Sequence, residues 1–227
     1  MASADKQKEK TMPTTIKRSL QDIFSPDVLK FILKIGLGSI AIWVVILGYF
    51  WNSFESFVTS YLTWIPWEWL QDSVAYIAAP FVGYTLVIVT IAILTSLYSE
   101  GLLIKLAKKH YPEKEAIASP SIAGSINSTL KSTLLFAVLF ILLSPTFFIP
   151  VIGQIIMLYV WSILLKGPTV HDVGGLFITD KSILKKKEKK SNMIAMTASL
   201  FNYVPFLNIF APIFAQIMFL HHILGKK

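Results

Sequence analysis

Between Ser132 and Leu165 the chain carries no charged residue, yet the run is broken at its centre by Ser144-Pro145-Thr146-Phe147-Phe148-Ile149-Pro150-Val151-Ile152-Gly153-Gln154. A spanning helix needs about 20 apolar residues to cross roughly 30 Å of hydrocarbon, and each half of this run offers only about 13 to 15. Pro145 and Pro150 each remove a backbone donor and crowd the preceding turn, and Gly153 accepts positive φ, so one straight helix is disfavoured. The pattern predicts a helical hairpin over 132–165 that enters the bilayer and returns to the side it came from.

A second uncharged run, Asn192 to Leu224, repeats the plan, with Phe201-Asn202-Tyr203-Val204-Pro205-Phe206-Leu207-Asn208-Ile209 near its centre and Pro212 beyond. The two centres superimpose as Ile149-Pro150-Val151-Ile152-Gly153 on Val204-Pro205-Phe206-Leu207-Asn208. In each, a proline and two apolar residues lead to Gly or Asn, the residues that most readily enter the left-handed region. Paired interrupted segments point to a transport pathway, because irregular backbone at membrane depth survives only inside protein or beside water. The candidate pathway-lining residues are therefore Thr146, Pro150, Gly153, Gln154, Asn202, Pro205 and Asn208. The competing reading is two ordinary pairs of short buried helices.

Hydrophobic residues make up 54% of the 227 positions and charged residues only 15%, a balance that a soluble domain does not show. The expected class is an all-α integral membrane protein with two full spans, about 28–54 and 73–99, and the two proline-broken hairpins. Residues 1–12 lack apolar periodicity and read as a disordered basic tail, and 13–227 as a single membrane domain. From Pro13, the residues Ile16, Leu20, Ile23 and Phe24 share a helical face opposite Lys17, Arg18, Gln21 and Asp22, as in a helix lying in the interface. Ser25-Pro26-Asp27 then reads as an N-cap, a proline at the first helical position and an acid suited to the helix dipole.

The formal charge of +8 rests almost wholly on lysine, since Arg18 is the single arginine. Glu55 to Asp72 holds Trp64, Trp67 and Trp69 around Pro66 with no Lys or Arg, which places that loop outside. Lys105, Lys108, Lys109, Lys114, Lys131, Lys166, the 181–190 cluster, Lys226 and Lys227 all favour the inside. Both broken runs therefore start and finish on the cytoplasmic side, and both termini are cytoplasmic. The 181–190 lysines fit a lipid-facing patch better than a nucleic-acid surface, since interleaved aromatics and arginine are missing.

Several chemistries are disfavoured. There is no cysteine, so disulfides, thiolate metal sites and cysteine nucleophiles are excluded together. No glycine-rich phosphate loop, HExxH or spaced Ser/His/Asp set occurs, which points away from an enzyme and implies no cofactor. His221-His222 and His171-Asp172 are read as interfacial polar residues rather than metal ligands, since neighbouring helical side chains point about 100° apart. From Ile35 to Phe54, from Ser73 to Ser99 and within both hairpins there is no Asp, Glu, Lys or Arg, which favours passive conduction over proton coupling.

Ile149-Pro150-Val151-Ile152-Gly153-Gln154 resembles the IPGxGQ element of the CysZ-like sulfate permeases, the bacterial side of the etoposide-induced-protein family. Ser19 to Phe31, Gly101-Leu102-Leu103 and the block Ser199 to Pro212 are similar to further family elements in the same order. The resemblance implies two spanning helices and two pairs of half-penetrating helices. It also implies a homodimer or an assembly of dimers that conducts sulfate inward through the bacterial cytoplasmic membrane for cysteine synthesis. In the family, sulfate is associated with a glycine-containing turn and an arginine pair ahead of the first span. Here these positions hold Ser19 and Leu29-Lys30, with Asp27 at the helix start. The family's Asn before GLL is Glu100, and its acid after it is Lys105.

The expected function is passive movement of sulfate or a related small anion, gathered by Lys17, Arg18, Ser19, Lys30 and Lys34. A non-transporting scaffold that binds a partner protein through the lysine-rich segment, or a channel for another solute, are the alternatives.

Overall fold

The computed structural model describes residues 2–60, 63, 66–117 and 122–225; Trp64, Lys226 and Lys227 lie outside the described residues. Its helices are α1 (Ala2–Ile23), α2 (Pro26–Ser60), α3 (Glu68–Tyr98), α4 (Glu100–His110), α5 (Ile122–Leu143), α6 (Ile152–Gly175), α7 (Lys181–Lys189), α8 (Asn192–Ser199) and α9 (Ala211–Leu224). No strand occurs among the described residues. Helix α1 begins at Ala2. The chain packs as two compact units, 1–29 with 96–227, and 30–95.

In the 30–95 unit, α2 and α3 run antiparallel. Trp43 donates through Nε1 to Thr90 Oγ1 at 2.8 Å, and the Leu47 side chain lies over Gly83. Thr90 also donates to its own helix at Leu86, so this polar contact between the two helices is satisfied on both sides. Helix α2 bends at Phe50, whose φ and ψ of −112° and 24° leave the helical region. Both helices carry apolar stretches long enough to cross a bilayer, Pro26–Phe57 and Pro80–Tyr98.

The other unit is built around α6 and α9. Helix α9 is buried on nearly every side, from Ala211 to Leu224, as a helix apolar all round must be. It packs with α1, α4, α6 and α8. At 14 residues it is about 21 Å long, short of the hydrocarbon thickness. Helix α8 is shorter still. The second broken run therefore forms the short-armed hairpin that its sequence predicts.

The first broken run also folds as a hairpin, with one difference in its dimensions. Its arms are 22 and 24 residues rather than about 13 to 15, because α5 extends back through Lys131 to Ile122 and α6 continues past Lys166 to Gly175. By length and composition Ala123–Phe147 and Ile152–Gly175 could each cross a membrane. Uncharged stretches mark where lysine begins, and a helix ends where its backbone bonds do. The extra turns pair α5 with α6 through small residues: Gly167 faces the Ser128 and Ser132 hydroxyls, and Gly124 faces the His171 ring.

Helix α1 inverts part of its expected amphipathic plan. Thr15, Ser19, Asp22 and Ile23 are buried, while Leu20 and Phe24 are exposed. Polar side chains with protein partners turn inward, and the apolar ones are left on the outer surface, where lipid can cover them.

Candidate functional site

The two broken turns share an unusual backbone. Val151 has φ 65° and ψ −54°, Phe206 has φ 66° and ψ −34°, and they are the positive-φ residues among those described. Each directly follows the proline of its repeat, Pro150 or Pro205. The left-handed position is thus two residues earlier than the Gly153 and Asn208 expected for it. At Val151 the Ile152 N–H reaches the Pro150 carbonyl at 2.7 Å, closing a three-residue turn of the strained, positive-φ kind. A β-branched residue pays about 1–3 kcal/mol for such a conformation.

Gly153 has another task. It is buried in the first turn of α6, its N–H donates to the Ile149 carbonyl at 2.8 Å, and a Cβ placed on it would lie 2.6 Å from both the Thr146 and Phe147 carbonyl oxygens. Only a hydrogen fits beneath the turn. Thr146 donates to the Leu143 carbonyl at 2.6 Å, occupying its hydroxyl hydrogen. Pro150 and Gln154 are exposed, as are Asn202 and Pro205, and Asn208 is half-buried. Tyr203 Oη donates to the Gln154 carbonyl at 3.4 Å, so the two turns meet.

The expected anion ligands are distributed differently. Lys17 and Arg18 stand exposed on α1, and Arg18 Nη1 lies 3.4 Å from Tyr111 Oη. Ser19 is completely buried and donates to the Thr15 carbonyl at 2.8 Å, so its hydroxyl hydrogen is taken by its own helix. Lys30 and Lys34 lie one turn apart on α2, exposed on one face. Asp27, which threatened to repel an anion at the start of α2, is neutralised by Lys105 of α4 at 2.7 Å. Ser25 Oγ makes no hydrogen bond; only its carbonyl receives the first helical N–H, from Leu29 at 2.9 Å.

A second polar constellation, unread in the sequence, joins α1, α4 and α9. Asp22 receives His221 Nε2 at 2.8 Å and His110 Nε2 at 2.9 Å, and Lys109 Nζ stands 3.3 Å away. His221 Nδ1 lies 2.9 Å from Tyr111 Oη. With Asp22 ionised, His221 donates through Nε2, Tyr111 donates to Nδ1, and Arg18 donates to the tyrosine oxygen, so each bond fixes the direction of the next. Burial pushes the Asp22 carboxyl up, but the hydrogen bonds and charge of His221 and His110 outweigh it and hold the group at about 2. Burial likewise raises the Tyr111 phenol, against the opposing pull of Arg18. The partners are separated by 88 and 199 residues, so no local spacing could announce them.

Among the described residues, four helices with the length and apolarity to cross a bilayer, together with a shorter-armed hairpin and a matched pair of broken turns, mark an all-helical membrane protein with internally repeated, interrupted hairpins. The chain matches the family model described as sulfate transporter CysZ/etoposide-induced protein 2.4 over residues 15–212. It belongs to that family. Comparison with curated proteins and with solved structures returned no match. The family is a transporter family, and the expected resemblance is confirmed across nearly the whole chain.

Proposed function

We propose that the protein is a permease of the bacterial cytoplasmic membrane that moves sulfate, or a related small oxyanion, passively inward for sulfur assimilation. The observation that carries this reading is the meeting of two strained, proline-led turns through Tyr203 and Gln154, inside a chain of the sulfate-transporter family. Irregular backbone at membrane depth survives only inside protein or beside water, which suits a solute route. Gln154, Asn202, Pro150 and Pro205, exposed around the turns, line the route together with Thr146, Gly153 and Asn208. Lys30 and Lys34, with Lys17 and Arg18, gather the anion; lysine does so as a mobile point charge rather than a two-pronged clamp. Both hairpins open to the cytoplasm, both termini lie there, and the working form is a homodimer or an assembly of dimers.

The test is uptake of labelled sulfate into liposomes holding the purified protein, beside empty liposomes and a K30A/K34A variant. Saturable uptake that the variant weakens, without loss of folded protein, is expected. No uptake by folded, correctly inserted protein would overturn the sulfate reading and favour another solute or a scaffold role for the lysine-rich α7.

A further inference from the structure

We propose that Asp22, His110 and His221 form a binding site for a divalent transition metal of the zinc class, which staples α1 to α4 and α9. Three helices far apart in sequence each contribute one ligand type that such an ion accepts, and the ligand atoms all lie within 4.8 Å of one another. The site is sheltered but not sealed: the side chains of Asp22 and His221 are 2% and 1% exposed, and that of His110 is 22%. An ion can therefore enter past His110, and water can complete its coordination there. This is the open arrangement of three protein ligands, rather than a closed four-ligand cage.

The distances suit small adjustment rather than rebuilding. Zinc–nitrogen and zinc–oxygen bonds of about 2.0–2.2 Å put neighbouring tetrahedral ligand atoms about 3.4 Å apart. The imidazole nitrogens now stand 2.8 and 2.9 Å from the carboxylate, so these two pairs widen by about half an ångström, within a ligand set spanning no more than 4.8 Å, to admit the ion. His110 sits at the last residue of α4 and has the freedom to give it.

The outer partners are also in place. A metal on His221 Nε2 requires the proton on Nδ1, and Nδ1 faces Tyr111 Oη at 2.9 Å. A tyrosine hydroxyl accepts as well as donates, so the ring can change tautomer without losing its partner. Arg18 Nη1, 3.4 Å from the same oxygen, donates to it with either tautomer of the ring. The opposing feature is Lys109, whose ammonium lies 3.3 Å from Asp22; its side chain is 59% exposed and can swing into water when a cation arrives.

That opposition supplies a test that a purely hydrogen-bonded clamp would fail. Full-length, tag-free protein in detergent is stripped with EDTA and titrated with Co2+, read by visible absorption, and then with Zn2+, read by calorimetry and by melting temperature. One zinc per chain, a higher melting temperature and tetrahedral cobalt absorption are expected. H110Q, chosen because His110 is partly exposed, should weaken binding by at least the roughly 100-fold seen at most for loss of an outer partner. K109M should tighten it, and H171Q, which lies outside the cluster, should leave it unchanged. If stripped wild-type protein takes up no stoichiometric zinc or cobalt, or if H110Q binds as the wild type does, the metal site is refuted. The readout is independent of transport, so it stands or falls apart from the sulfate reading.

Discussion

Replacing Gly153 with alanine probes the first broken turn where it is tightest. The added methyl would lie 2.6 Å from two backbone carbonyl oxygens and 2.8 Å from the Phe147 carbonyl carbon, and ordinary contact needs about 0.8 Å more. No flexible side chain is available to yield; the turn itself must lift off α6. Overpacking costs about 1–3 kcal/mol, and backbone neighbours place this case near the upper value. Against it, alanine in a helix gains about 1 kcal/mol over glycine. The net loss is about 2 kcal/mol, or roughly 4–8 °C in melting temperature for a chain of this size. Tryptophan-fluorescence melting in detergent can follow it, with Gly101→Ala as control. Gly101 lies on α4 with nothing within 4 Å of its added Cβ, so G101A should melt at or slightly above wild type. If G153A matched or exceeded wild type while G101A behaved as stated, Gly153 would not be seated beneath the Thr146 and Phe147 carbonyls.

Other changes follow from the same contacts. Val151→Gly removes the left-handed strain at an exposed position and should raise the melting temperature by roughly 2–4 °C, corresponding to about 1 kcal/mol; an unchanged or lower value contradicts the strained turn. Asp22→Asn leaves two imidazoles and Lys109 without their carboxylate and should cost about 3 kcal/mol, measurable by the same melting assay. Because Asp22 is held at about 2 against an ordinary 3.8, its contribution is complete above about pH 4 and disappears as pH falls through about 2. Wild-type protein kept in EDTA should lose melting temperature across that window, and D22N should be flatter. Lys105→Met breaks a pair whose side chains are 64% and 47% exposed, so its effect on stability should stay within about 1 kcal/mol.

The parts of the molecule that were legible in sequence are those written in local pattern. The uncharged runs and their prolines gave both hairpins, and the superposition of Pro150 on Pro205 anticipated that Val151 and Phe206 share one backbone conformation, although glycine preference pointed two residues downstream. Helix ends were less legible. Lys131 and Lys166 bound the uncharged run, yet a lysine at the water interface interrupts hydropathy without interrupting hydrogen bonds, so α5 and α6 run on past them. Ser19 was a ligand candidate from its place in the family pattern, and it instead faces its own helix. The Asp22, His110, His221 and Tyr111 cluster was invisible, because α1, α4 and α9 come together only in the fold. The inward-facing polar side of α1 was missed for the same reason: an amphipathic stripe does not say which of its faces meets protein.

The measurement that bears most directly on the two turns as one oxyanion route is labelled-sulfate flux through Q154C and N202C variants before and after an impermeant thiol reagent. The chain contains no cysteine, so modification reports these positions alone. A shared route predicts that each variant transports sulfate and that modifying either residue blocks the flux. Undiminished flux after complete modification at both positions would contradict it.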